Sequence, residues 1–67
     1  MSDIARNIKT ARRKSGLSQE QAAIGIGCSL HSIRRWEQGE TDMSLQTAIR
    51  LSELYSVSLD EFALGKQ

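Results

Sequence analysis

Between Leu17 and Gly39 the chain reads LSQEQAAIGIGCSLHSIRRWEQG, and its groups suited to recognition are Gln19, Ser29, Leu30, His31, Ser32, Arg34, Arg35 and Gln38. Amides, hydroxyls, an imidazole and two guanidinium groups, with no nucleophile, base and orienter set among them, suit binding rather than catalysis. At about 100° per residue, Ile33, Trp36 and Glu37 share one side of a helix, with His31 and Arg35 nearly opposite. Ser32 and Arg34 flank that outer side. It therefore presents the donors and acceptors that meet phosphates and base edges in DNA.

Each group has a bland reading beside the functional one. The planar fork of Arg35 suits O6 and N7 of guanine, a pairing worth roughly 1 to 3 kcal/mol of discrimination; a phosphate contact or plain solvation is the alternative. His31 reads either as a base-edge contact or as an idle surface residue. No second histidine and no spaced cluster of cysteine and carboxylate accompanies it, so neither a metal site nor any other cofactor is expected. Trp36 shares the apolar side with Ile33 and reads as a packing residue. Cys28, in the turn before this helix, reads as a small half-buried residue, with a redox role as the sharper alternative.

The elements that must position these groups follow from capping and periodicity. Ser2 as N-cap, Asp3 in the first turn and the spacing of Ile4, Ile8 and Ala11 predict a first helix that Gly16 stops. Its outer face carries Arg6, Lys9 and Arg13, with Lys14 in the last turn, where cations also complement the helix dipole. Ser18 and Gln21 fit a capping box, so a second helix starts at Gln19. Gly25 inside that helix costs up to about 1 kcal/mol relative to alanine, and Gly27 ends it in a left-handed conformation. Ser29 caps the third helix, roughly Leu30 to Glu37, and Gly39 terminates it. Ser44 caps a fourth helix to about Tyr55, whose broad apolar pattern at Leu45, Ala48, Ile49 and Leu51 to Leu54 reads as scaffold. Ser58 with Glu61, and Val57 with Phe62, signal a short fifth helix through Leu64.

With 67 residues the chain has room for one domain, residues 1–67, and a domain this small buries only about 60% of the surface its unfolded form exposes. A single cysteine excludes an internal disulfide, so a thin core must hold by packing. Cysteine usage and the lack of a signal-like or membrane-spanning apolar run predict a soluble, cytoplasmic protein with no membrane partner. The net charge of +1 conceals an asymmetry: residues 1–36 carry seven Lys/Arg against two Asp/Glu, and residues 37–67 carry two against six. One region can attract a polyanion while the other is free of that duty.

The chain resembles the lambda-repressor and Cro-like (XRE-type) helix-turn-helix family. The likeness lies in Arg12, LSQ at 17–19, Ala23, Ile26-Gly27, SIRRWEQG at 32–39 and VSLDE at 57–61. It implies an all-α, compact five-helix bundle whose third helix enters the major groove while the start of the second abuts the backbone. By family position Leu30, His31 and Arg35 read bases, with Ser32 and Arg34 nearer the backbone. Gln19 hydrogen-bonds phosphate at a helix N-terminus, where free N–H groups attract anions. The interface implied is Lys9, Arg13, Gln19, Ser29, Leu30, His31, Ser32, Arg34, Arg35 and Gln38, with Arg12 and Glu37 as a structural ion pair beneath it. Leu30, Ala22, Met43 and the acids Glu40 and Asp42 depart from the family's usual residues; Leu30 removes the polar partner for a hydrogen-bonded bridge from Gln19, and Leu30, Gly25 and the two acids predict a weaker grip on the backbone. The expected activity is that of a regulator, most simply a repressor, on double-stranded DNA as a homodimer at a two-fold operator, without a small-molecule ligand. A protein-interaction module of antitoxin or antirepressor type is the alternative, and an enzyme is not expected. Tyr55, Leu59, Phe62 and Leu64 form the candidate self-association surface, unless they are all core.

Overall fold

The computed structural model describes residues 3–41 and 43–64, and every regular element among them is helical. Four helices of eight residues or more, α1 (Asp3–Lys14), α2 (Gln19–Ile26), α3 (Leu30–Glu37) and α4 (Leu45–Tyr55), are followed by the six-residue α5 (Leu59–Leu64). No helix among the described residues is long and apolar enough to cross a membrane.

Local chemistry accounts for where the helices begin and end. At the start of α2 the Ser18 hydroxyl accepts from the Gln21 amide at 3.0 Å, and the Gln21 side chain accepts from the Ser18 amide at 2.9 Å. Both bonds satisfy donors that the first helical turn would otherwise leave orphaned. Ser29 and Ser44 cap α3 and α4 in the same way, accepting from Ser32 and Thr47. Gly27, at φ 76°, turns the chain between α2 and α3 in a left-handed conformation that a side chain would penalise. Ser56 takes the corresponding position after α4 at φ 57°. Ser2, expected to cap α1, lies outside the described residues, as do the side chains of Asp3, Glu61 and Leu64.

Three helices meet around Ile8, Ile33 and Leu51, the largest fully buried side chains. Ala11, Ala22, Ala23 and Ile26 complete the core between them, and Tyr55 and Phe62 close it from below with rings in edge-on contact, centroids 6.2 Å apart. The Asn7 side chain donates to the Phe62 carbonyl at 2.8 Å and ties α1 to the chain's end. Gly25 has a packing reason that periodicity does not reveal: a Cβ there would stand 3.0 Å and 3.1 Å from the Leu54 methyl carbons. The missing side chain lets α2 lie close against α4 at Leu54, at the helix-propensity cost of a glycine.

Several apolar residues depart from the expected core. Ile4 and Ile49 are partly exposed, and Leu45 is 71% exposed, because the α1 and α4 stripes extend beyond the elements that cover them. Conversely, Tyr55 and Phe62, two members of the expected self-association surface, are each only 3% exposed. They are core, and of that surface only Leu59 remains visible among the described side chains.

Burial also strands the Tyr55 hydroxyl, which has no hydrogen-bond partner among the described residues. Desolvation, with the Glu37 charge adding to it, pushes its pKa up to about 12 from an ordinary value of 10. A raised pKa means that the fold favours the neutral phenol. The stability it confers is complete below about pH 10 and is lost as pH rises through about 12. Tyr55→Phe removes both the stranded hydroxyl and the titration, so it should leave neutral-pH stability unchanged or higher by up to about 1 kcal/mol. Urea melts at pH 7 and across pH 9 to 12 test this: the wild type should lose stability at the alkaline end by more than the variant does.

Candidate nucleic-acid interface

The interface is built on a buried ion pair. Arg12, on the inward face of α1, donates from Nε to Glu37 Oε2 at 2.6 Å and from Nη2 to Glu37 Oε1 at 3.1 Å. Its remaining nitrogen, Nη1, donates to the Leu17 carbonyl at 2.9 Å. One guanidinium thus ties the end of α3 and the α1–α2 turn to α1, in the fork geometry that makes arginine–carboxylate pairs directional. The two side chains are 9% and 3% exposed, so the pair is largely screened from water. The hydrogen bonds that Arg12 donates to Glu37 raise its pKa above the ordinary arginine value, against the opposing effect of burial.

Gln19 joins the same network. Its side-chain nitrogen donates to Glu37 Oε1 at 3.0 Å, which connects the first residue of α2 to the last residue of α3. Family position points Gln19 to a phosphate and not to this carboxylate, which stands 18 positions along the chain and is brought to it only by folding.

Most of the expected recognition groups, Gln19 among them, divide into two neighbourhoods. Lys9, Arg13, Gln19, Leu30 and Arg34 surround an open cleft of about 430 Å³ where α1, the start of α2 and α3 converge. Ser32 and Arg35 border a second depression, of about 330 Å³, on the side of α3 that faces the α3–α4 loop and the start of α4. His31 is exposed, and borders neither of these two depressions. The division follows from the helix: Ser32 and Arg34 lie on opposite flanks of its outer face.

Two expected contacts have local duties. The Ser29 hydroxyl accepts from the Ser32 amide and lies 3.1 Å from the Ser32 hydroxyl, so both serines serve the start of α3. Gln38 is the C-cap of α3, its amide donating to the Arg34 carbonyl at 3.0 Å, and its side chain is exposed. Lys9, Arg13, Arg34 and Arg35 are all exposed, as a cationic surface requires. Leu30 is half-buried, so part of its apolar side chain faces outward. Cys28 is half-buried, with Sγ 3.4 Å from the Ser29 carbonyl, and burial raises its pKa, which disfavours the reactive thiolate.

Some neighbours went unnoticed in the sequence. Glu20 borders the basic cleft and reduces its positive potential, a consequence legible only in its position beside Gln19 in the first turn of α2. Thr41, Ser44 and Thr47 supply hydroxyls near Arg35, and the last two also bond to each other at 3.0 Å as part of the α4 cap. Among the described residues, no group of three or more His, Cys, Asp or Glu is placed to hold a metal ion.

A capped α2, a left-handed glycine turn and an α3 with one buried and one basic side together make the motif expected from the sequence, and a helix-turn-helix family model matches residues 8–62. The chain belongs to the XRE-type helix-turn-helix family. It is 33% identical over 63 residues to ImmR, an HTH-type transcriptional regulator of Bacillus subtilis, covering 94% of this chain and 49% of that protein. It is also 33% identical over 54 residues to a Pyrococcus abyssi protein assigned provisionally as an HTH-type transcriptional regulatory protein, covering 81% of this chain and 17% of its relative. A Pyrococcus furiosus protein with the same provisional assignment is 36% identical over 52 residues, with coverages of 78% and 16%. The helix-turn-helix domain thus spans about half the length of ImmR and a much smaller share of the archaeal proteins.

Removing one partner of the buried pair strands the other's charge. Glu37→Ala should therefore cost about 3 to 5 kcal/mol of unfolding free energy, whereas Arg12→Met with Glu37→Met, which removes both charges at similar volume, should be far closer to wild type. Chemical denaturation of the three proteins decides this, and equal losses would contradict a buried, coupled pair.

Proposed function

We propose that this domain binds double-stranded DNA sequence-specifically, with the outer side of α3 in the major groove and the start of α2 against the backbone. It acts as a transcriptional repressor, and it does so as a homodimer on a two-fold operator. The observation that carries this reading is the exposed outer side of α3, with His31, Arg34 and Arg35, held in place by the buried Arg12–Glu37 pair.

The mechanism is binding without chemistry. Arg35 and His31 meet base edges, Leu30 offers an apolar surface to a thymine methyl group, and Arg34 and Ser32 lie nearer the backbone. Lys9, Arg13, Gln38 and the amide-rich start of α2 set the register on phosphates, which supply affinity but little sequence information. The regulators among its relatives support this reading, since ImmR is an HTH-type transcriptional regulator.

Size supports the homodimer. The described domain measures 27 × 23 × 20 Å, and half-sites one helical turn apart lie about 34 to 36 Å from centre to centre. Two copies fit side by side at that spacing, and a single small module buries too little surface for tight operator binding.

Arg35 and Lys9 should fail in different ways. Arg35→Ala should relax preference at one operator position, with about 1 to 3 kcal/mol of discrimination lost there, whereas Lys9→Ala should weaken all duplexes alike and flatten the salt dependence by about one unit of slope. Operators selected from random DNA and titrated at several salt concentrations provide the measurement. Wild-type discrimination and salt slope in both variants would refute this docking. Absence of salt-sensitive DNA binding, together with a stable protein complex, would favour an antitoxin or antirepressor role.

A further inference from the structure

We propose that Gln19 is a positioning residue: through its bond to the buried Glu37 carboxylate it fixes the angle between α2 and α3, and so sets the pose in which the recognition helix meets bases. The inference rests on the DNA-binding reading above, and it adds a role to a residue whose position suggests a phosphate ligand.

The chemistry of the partner fixes how Gln19 is oriented. An ionised carboxylate only accepts hydrogen bonds, so the amide nitrogen must face Glu37 and the amide oxygen must face away. The nitrogen is 3.0 Å from Glu37 Oε1, the oxygen that also accepts from Arg12 Nη2. With the nitrogen engaged there, the outward oxygen is an acceptor with nothing to offer an anionic phosphate. A phosphate bonded to the second N–H would stand beside the Glu37 carboxylate. The backbone amides at the start of α2, with Lys9, Arg13 and Arg34 around the same cleft, are better placed for that duty.

The position of Glu37 makes the bond consequential. It is the last residue of α3, and Gln19 is the first of α2, so the bond joins the two outer ends of a motif whose inner ends are already joined by the Gly27 turn. A hinge fixed at one end is free to open, and the Gln19–Glu37 bond fixes the other end. Arg12 holds the same carboxylate from α1, which refers the angle to the rest of the fold.

The experiment compares wild type, Gln19→Ala and Gln19→Met by thermal melting without DNA and by titration with a selected operator and a random duplex of equal length. Alanine is the better helix former, so a merely solvated or phosphate-binding Gln19 predicts a Tm that is unchanged or raised in Gln19→Ala. The positioning role predicts that both variants melt roughly 10 °C lower, as a lost bond to a charged group in so small a domain implies. It further predicts that operator affinity falls about tenfold more than random-duplex affinity, since pose governs base contacts and phosphates govern general affinity. In the Arg12→Met, Glu37→Met background Gln19→Ala should no longer lower Tm or cost operator affinity beyond its loss on the random duplex, which a double-mutant cycle measures. An unchanged or raised Tm overturns the proposal, and so does equal weakening on the two duplexes. A wild-type protein that binds neither duplex overturns the DNA-binding reading instead, and the melting arm then decides alone whether Gln19 fastens α2 to Glu37.

Discussion

The arrangement of this domain depends on where one guanidinium is held. Arg12 reaches inward from α1, and its donors are divided between the Glu37 carboxylate and the Leu17 carbonyl. Transfer of an arginine and a glutamate out of water is costly, and mutual attraction repays that cost only when the remaining polar positions are also satisfied. Here they are well supplied: Glu37 accepts from two Arg12 nitrogens and from Gln19. The value of such a pair lies less in net stability than in geometry, since a fork with fixed directions tolerates only one placement of α3 relative to α1. The pair also explains why the outward groups of α3 stay outward. Rotating the helix about its axis would withdraw Glu37 from Arg12 and expose Ile33, which is 1% exposed.

How much of this was legible in the sequence depends on the range of the interaction. Helix starts at Gln19, Leu30 and Leu45 follow from Ser18, Ser29 and Ser44, because a cap acts on amides within three residues of itself. The left-handed turn at Gly27 is local in the same way. Burial is a different matter: the apolar pattern of α4 extends to Leu45 and Ile49, but periodicity identifies a face without saying what covers it, and these two residues face water. Tyr55 and Phe62 err in the opposite direction. The acidic, partly apolar last third of the chain offered them as a surface unless they were core, and both are buried: Phe62 where the Asn7 bond ties α5 to α1, and Tyr55 at the end of α4 with its ring edge-on to Phe62.

The candidate recognition surface divides along the same line. That Arg34 and Ser32 flank the outer side of α3 is a property of one helix and could be drawn from spacing. That Lys9 and Arg13 share a cleft with Arg34, while Arg35 lies near Thr41 and Thr47, depends on how α1 and α4 pack on either side of α3. The pairing of Arg12 with Glu37 came from family resemblance, since periodicity placed Glu37 on the inward half of its helix without naming a partner. The bond from Gln19 to Glu37 lay beyond both kinds of reasoning: periodicity does not relate two helices, and family position pointed Gln19 towards phosphate.

Helix length makes these long-range bonds necessary. At eight residues each, α2 and α3 are well below the roughly 12 to 15 residues at which isolated helices become even marginally stable in water. Gly25 weakens α2 further in isolation while allowing its approach to Leu54. Neither helix therefore carries its own geometry, and caps decide only where each begins and ends. The relative pose of the two helices must come from contacts that join them to α1 and α4: Ala22, Ala23, Ile26 and Ile33 in the core, and the Arg12–Glu37–Gln19 network at the rim. Apolar contacts bind strongly but are forgiving in direction, whereas hydrogen bonds to a carboxylate weaken steeply with misalignment. In so thin a core, packing supplies the adhesion and the buried polar network supplies the angle, so the pose of the outer side of α3 is governed by residues beneath it and not by those it presents.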